Sequence, residues 1–564
     1  SNAVKANINL INGSLIYKPI EELTLKISGG VENRDDRTDS YTTRNFLNSN
    51  GSASVSTGQY TSLLNENTLT YTKTFNEKHS LSALAGVTYQ DFISTSLAGS
   101  GTGFLSDAFE TYDLNAAITP GIPGSGYSKS VLLSYLGRIN YSFKNKYLAT
   151  VSYRADGSSK FSKGNKWGYF PSAALAWRIS DENFLKNNNL ISNMKLRASW
   201  GMTGSQAIGP YVTLNQLSSG ITVFNDALYN AFAPGTQLPG DLKWETTEQM
   251  NFGLDLGIID NRINITADYY IKNTRDLLNT VSLPSSLGFT QTIQNIGKVQ
   301  NKGFEFNVDA RILQSNFKWD VNANISFNRN KVVKLYNGED ILTGSGVLAL
   351  QGTTSILREG RPIGQFFGYL EDGYDDNGKI KYKDLQPDNK LTGDDRTYIG
   401  DPNPDFIYGL SSGLSYKNFT LDIFLQGSYG NDLFNLSSVA YAYDFVSGLN
   451  MIKDVLTNSW TPEHTNAKYP VTSRNTSVNV SNRFIEDGSY LRLKNIQLAY
   501  DLPLKHWSVN KVIESLQLYA SGQNLLTFTK YSGWDPEVNS SGFGIDNNSY
   551  PMSKTVTFGI RARF

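Results

Sequence analysis

The chain has 564 residues, with 51 basic and 51 acidic side chains, three histidines and no cysteine. Zero net charge leaves no electrostatic footprint for nucleic acid, and the missing cysteines exclude disulfides and thiolate metal sites. Mean hydropathy is −0.35, and no apolar run approaches the roughly 18 residues of a membrane helix, so a membrane crossing would have to be made by strands.

Seventeen strands are predicted, at about 7–17, 23–33, 59–74, 81–94, 131–143, 147–156, 169–179, 195–203, 245–258, 262–273, 303–313, 317–330, 406–416, 419–429, 490–501, 516–524 and 554–564. Each alternates. Ile263, Ile265, Ala267, Tyr269 and Ile271 share one face and Asn264, Thr266, Asp268 and Tyr270 the other; Phe304, Phe306, Val308, Ala310 and Ile312 alternate with Glu305, Asn307, Asp309 and Arg311. A soluble sandwich would alternate too, but most of these strands match or pass the roughly 9–11 residues that cross a bilayer at a tilt.

The links between strands alternate between short and long. Lys144-Asn145-Lys146, Ile259-Asp260-Asn261, Gln314-Ser315-Asn316 and Lys417-Asn418 fall on one rim. Segments 95–130, 204–244, 331–405, 430–489 and 525–553 fall on the other, far longer than compact soluble domains usually tolerate. Aromatic residues crowd the short-turn rim, as an interfacial girdle requires: Tyr141, Phe143, Tyr147, Phe317, Trp319, Tyr416 and Phe419. The pattern predicts an all-β fold, an antiparallel transmembrane β-barrel of outer-membrane type embedded in a lipid bilayer, with Gly346 and Ser447 outside and Asn145 and Asn418 on the inner rim. Ser1-Asn2-Ala3 reads as a tag-cleavage scar, leaving 4–564 as the barrel domain, and the last strand ends on an aromatic carboxy terminus, Phe564.

Several stretches resemble the SusC/RagA family of TonB-dependent outer-membrane transporters. They are Asn295-Ile296-Gly297-Lys298-Val299-Gln300-Asn301-Lys302-Gly303-Phe304-Glu305, the run Asp401-Pro402-Asn403-Pro404-Asp405, Tyr429-Gly430-Asn431-Asp432, Phe484-Ile485-Glu486-Asp487-Gly488-Ser489-Tyr490-Leu491-Arg492, Ser521-Gly522-Gln523-Asn524-Leu525 and Gly533-Trp534-Asp535-Pro536-Glu537. The resemblance implies import of oligosaccharides or peptides across the outer membrane of a Gram-negative bacterium. It also implies a SusD-like surface lipoprotein as lid, and a TonB complex engaging an amino-terminal plug region. Barrels of about 22 strands are plugged transporters, so seventeen strands are expected to be a carboxy-terminal portion lacking the plug, the TonB box and about five strands. An adhesive barrel that binds ligands without transport is the alternative.

Nothing points to catalysis. His79, His464 and His506 fall in predicted turns and loops, and no nucleophile elbow, metalloprotease motif or phosphate loop occurs. One acidic stretch places Asp384, Gln386, Asp388, Thr392 and Asp395 at positions 1, 3, 5, 9 and 12 of an EF-hand-like calcium loop. Gln386, Asn389 and Asp395 replace its usual Asn, Gly and Glu, so an ordinary acidic loop stands beside calcium. For substrate, the candidates are the loop aromatics Tyr229, Trp460, Tyr469 and Trp534, whose faces can stack on sugar rings.

Overall fold

The computed structural model describes residues 2–46, 49–186, 188–344, 350–443, 450–473, 478–504, 512–538 and 543–564; Gly346, Ser447 and His506 lie outside them. Among the described residues there are seventeen strands of nine residues or more. They are β1 (Asn2–Ile20), β2 (Leu23–Thr42), β3 (Ser52–Phe75), β4 (His79–Phe104), β5 (Gly124–Phe143), β6 (Tyr147–Ser158), β7 (Trp167–Arg178), β8 (Ile191–Ser205) and β9 (Glu245–Ile258). The series continues with β10 (Ile263–Arg275), β11 (Lys298–Gln314), β12 (Phe317–Lys334), β13 (Phe406–Tyr416), β14 (Phe419–Tyr429), β15 (Tyr490–Asp501), β16 (Ser515–Thr529) and β17 (Thr555–Arg563). Every predicted strand is present.

The chain divides into two compact units: Ser1–Trp177 with Ser199–Glu248 and Thr274–Ile296, and Arg178–Ala198 with Gln249–Asn273 and Gly297–Phe564. In the first, β1 to β7 form an antiparallel meander in unbroken sequential order. In the second, β11 to β17 do the same.

Strand register sorts the side chains onto two faces. In the first unit Leu23, Tyr71, Ala83, Ile139, Val151 and Ala173 stand side by side on one face. On the other, Ser28, Glu66, Thr88, Ser134, Asp156 and Gly168 are neighbours. The apolar face is open: Ile139, Val151, Tyr153, Tyr169 and Leu175 are 51–64% exposed, a sheet-wide surface that water would not tolerate and hydrocarbon favours.

Aromatic residues mark the short-turn rim in register. Phe75, His79, Phe143, Tyr147 and Trp177 follow one another across β3 to β7, with ring centroids 4.8–6.4 Å apart from His79 to Trp177. Phe317, Tyr416, Phe419 and Tyr500 repeat the rank across β12 to β15. His79 therefore heads a strand, its Nδ1 2.7 Å from the Tyr141 hydroxyl, where the sequence suggested a turn. The turns on this rim close through left-handed residues, Lys144 and Asn145 at φ 52° and 55° and Ile259, Asp260 and Asn261 at 53–57°, the backbone that matches tight hairpins to strand twist.

One expected long loop is mostly strand. Residues 34–58 were predicted to link β2 and β3, but the two strands run on to Thr42 and back from Ser52, leaving 43–51. Arg37 and Asp39 pair at 2.9 Å along this extension, and polar residues occupy both of its faces. From Asn33 to Ser40 β2 has no apolar face, so the alternation that betrays a strand is missing there, although Tyr41 and Ala53 at its far end pack against Phe104.

Candidate functional site

In the first unit, links 159–166 and 206–244 fold onto the polar face. Phe161, Phe170, Ile208, Leu242 and Trp244 form a buried cluster, with Trp244 tilted by 44° against Phe161 at 5.1 Å and edge-on to Phe170 at 5.5 Å. Trp244 Nε1 donates to the Lys166 carbonyl at 2.9 Å, and Ser162 Oγ accepts from the Leu242 amide at 3.1 Å. Out of the same 206–244 link stands a hairpin of Leu217–Phe224 paired with Ala227–Pro234, turning through Asn225 and Asp226.

In the second unit the long loops build a domain of their own. Leu350 and Phe366 from 335–405, Phe434, Leu436, Val439, Tyr443, Tyr469, Val480 and Phe484 from 430–489, and Ile545 from 530–554 share one core. Short strands lace the loops together: Leu350 pairs with Val478, and Phe434 with Ile545. Arg483 is clasped by Glu371, by the Tyr374 hydroxyl at 3.1 Å and by the Tyr443 hydroxyl at 3.3 Å. Burial and the Tyr443 hydroxyl contend over this guanidinium, and its pKa rises above the ordinary arginine value. At the foot of the last loop Arg492, 1% exposed, meets Asp535 and reaches Glu537 at 3.1 Å.

The residues of the family-like stretches are largely structural. Asn295 clamps two segments, accepting from the Lys243 amide at 2.8 Å while its amide donates to the Lys243 carbonyl at 2.8 Å and the Asp276 carbonyl at 2.9 Å. Asp401 accepts from Gln365 at 2.9 Å and from the Asn403 amide at 2.9 Å. These residues fix how loops leave strands.

The four candidate aromatics are scattered. Tyr469 is 4% exposed, packs edge-on against Tyr443 at 5.7 Å and donates its hydroxyl to Asp454 at 3.0 Å. Trp460 packs so closely on Gly378, which turns at φ +72°, that a Cβ there would overlap its ring. Both are anchors of the loop domain. Trp534 is 83% exposed, and Tyr229 is 52% exposed on the projecting hairpin, edge-on to Phe224 at 6.4 Å. These two remain open to a ligand.

The acidic loop closes on itself. Asp395 is wholly buried and its Oδ1 accepts from the Leu385 and Gln386 amides at 2.9 and 3.0 Å, while Oδ2 accepts from the Thr392 amide at 2.7 Å and from Thr392 Oγ1 at 3.3 Å. The Thr392 amide leads in holding its carboxyl below the ordinary carboxylate value. Asp384 and Asp388 are likewise engaged, by the Asn389 and Lys390 amides, each at 2.8 Å. Among the described residues no three acidic or histidine side chains approach closely enough to hold a metal ion. In this geometry the donor set does not fit calcium, because the carboxylate at the bidentate position already serves four protein donors.

Sequence reasoning passed over Lys160, Gln206, Tyr60 and Phe92, which line one cavity on the polar face of the first unit. No motif flags them, since they come from four separate segments.

The family described as TonB dependent receptor-like, beta-barrel matches residues 7–525. The TonB-dependent receptor P3 of Formosa agariphila is 36% identical over 99% of this chain and 58% of its own length. The TonB-dependent receptor SusC of Bacteroides thetaiotaomicron is 36% identical over 78% of this chain and 44% of its own. The solved RagAB peptide transporter aligns over 100% of this chain and 62% of that one, with a TM-score of 0.88 at 28% identity. The chain thus spans about half the length of the curated relatives it matches.

Proposed function

The chain belongs to the TonB-dependent receptor family in its SusC/RagA branch, as β-barrel sequence, and from that premise we propose that the full-length protein imports a nutrient across the outer membrane. The cargo is an oligosaccharide or a peptide. A SusD-like surface lipoprotein docks on the long-loop rim and delivers it, and the TonB complex energises release through the amino-terminal part of the full-length protein. Tyr229 and Trp534 are the loop aromatics available to the cargo.

The observation that carries this reading is the loop domain of the second unit. Loops from three separate links share one buried core, so this rim presents a shaped, rigid surface of the kind that ligand capture and lid closure need. A plain pore would need no such construction.

Deleting the full-length gene tests the reading. Growth on one class of oligosaccharide or on peptides as sole nutrient should be lost and restored by the intact gene. Unchanged growth on every nutrient, with surface binding of a ligand lost, would overturn transport in favour of adhesion.

A further inference from the structure

On the polar face of the first unit lies a cavity of about 260 Å³ bounded by Tyr60 and Phe92 from β3 and β4, Ser128 and Ser130 from β5, and Lys160 and Gln206 from the links above them. Lys160 is half-buried and forms no ion pair among the described residues. Nearby cations are already neutralised: Lys129 by Asp91 at 2.8 Å and Arg154 by Asp156 at 2.7 Å. Burial alone acts on the Lys160 ammonium, pulling its pKa below the ordinary lysine value. An unneutralised, partly desolvated cation beside a cavity is costly to keep and invites a counter-ion.

The surroundings are built rather than loose. Phe161, the next residue, is 2% exposed in the cluster with Trp244, so the backbone that carries Lys160 is fixed. Ser158 Oγ donates to Gln206 Oε1 at 2.6 Å, which turns the Gln206 amide nitrogen away as a spare donor. Tyr60 and Phe92 pair at 6.5 Å between centroids, tilted by 34°, and offer an aromatic platform.

We propose that this cavity binds the anionic group, carboxylate or sulfate, of an imported oligomer, with Lys160 as counter-ion, the Gln206 amide as donor and the Tyr60–Phe92 pair as platform for the unit that bears the charge. The proposal rests on the importer reading and narrows its substrate to acidic oligomers. The polar face of a transporter barrel lines the lumen, so the cavity is where passing cargo would be held.

The test uses the full-length protein in detergent and titration calorimetry with three probes: a galacturonic acid tetramer, its neutral methyl ester, and a tetraglutamate peptide. The acid tetramer should bind at least tenfold tighter than the ester. Lys160→Gln should weaken acid binding about tenfold and leave ester binding unchanged, and Lys160→Arg should retain most of the affinity. An unchanged melting temperature certifies the variants as folded. Tighter binding of tetraglutamate than of the sugar acid would support the subsite and assign it to peptides. Equal binding of acid and ester, equal losses for both in Lys160→Gln, or no binding of either acidic probe at millimolar concentration would overturn it. Acid-selective binding without a growth phenotype on gene deletion would overturn the importer reading alone.

Discussion

Replacing Asp535 with Asn removes a charge and one of two accepting oxygens at almost constant volume. The Arg492 and Asp535 side chains are 2% and 9% exposed, and Asp535 also accepts from the Glu537 and Met552 amides, each at 2.9 Å. An Asn at this position keeps one acceptor oxygen but strands the guanidinium, whose remaining neighbour, Glu537, approaches Nη1 at 3.1 Å outside hydrogen-bonding geometry. Breaking a buried pair by removing one partner costs about 3–5 kcal/mol, whereas replacing both partners by apolar groups is often neutral. The loss falls on the 530–554 loop before it reaches the sheet, so it reads out as local opening. At about 1.4 kcal/mol per tenfold, amide exchange at Glu537 and Met552 should accelerate by about two orders of magnitude or more. Hydrogen-exchange mass spectrometry on the full-length protein in detergent measures this, and Arg492→Met in the Asp535→Asn background should restore most of the protection. Burial raises the Asp535 carboxyl, but the Met552 and Glu537 amides and Arg492 outweigh it and hold the pKa below the ordinary value. The latch is therefore intact above the unfolded carboxylate value of about 3.9 and is lost as pH falls through the lower folded value. Exchange within threefold of wild type in Asp535→Asn, or no recovery in the double variant, would refute the reasoning.

Other outcomes follow from the same geometry. Tyr469→Ala should destabilise the loop domain by about 3–5 kcal/mol, while Trp534→Ala should stay within about 0.5 kcal/mol, as thermal melts will register. Val151→Arg, on the open apolar face, should cost about 2–4 kcal/mol of membrane insertion, and Ser152→Arg, on the opposite face, much less; folding titrations into lipid vesicles compare them. Millimolar calcium should leave the melting temperature unchanged, and Asp395→Asn should speed exchange of the Leu385, Gln386 and Thr392 amides; a melting temperature that climbs with calcium concentration would reinstate the metal. In cells making the full-length protein, a tag at Asp226 should be labelled from outside and tags at Asn145 or Asn418 should not, with labelling at Asn418 reversing the orientation.

The strands were legible because a sheet with one greasy and one wet face writes period two into its sequence, as at Ile263–Ile271. Their ends were not: in β2, from Asn33 to Ser40, polar residues occupy both faces and the pattern fades while the hydrogen bonds continue. Candidate site residues fared differently for a related reason. Tyr469 and Trp534 are both loop aromatics, yet one is a core residue and the other is open, because burial depends on Tyr443, Val480 and Ile545 arriving from elsewhere in the chain. The acidic loop carried two superimposed signatures. Spacing from Asp384 suggests a cation loop, but Thr392-Gly393-Asp394-Asp395 also matches a capping box, and the structure uses that one. Lys160 had no signature, because a cation becomes conspicuous only when the acids around it prove to be paired with other cations.

The shared core of the three long loops also constrains how the protein is assembled. Phe366, Phe434 and Ile545 lie on links separated by transmembrane strand pairs, so they can meet only when every intervening hairpin has been inserted with the same side outward. A hairpin left behind, or inserted upside down, strands its share of the core on the wrong side and leaves the remaining loops with exposed apolar surface. The core of the loop domain is thus complete only when the topology beneath it is complete.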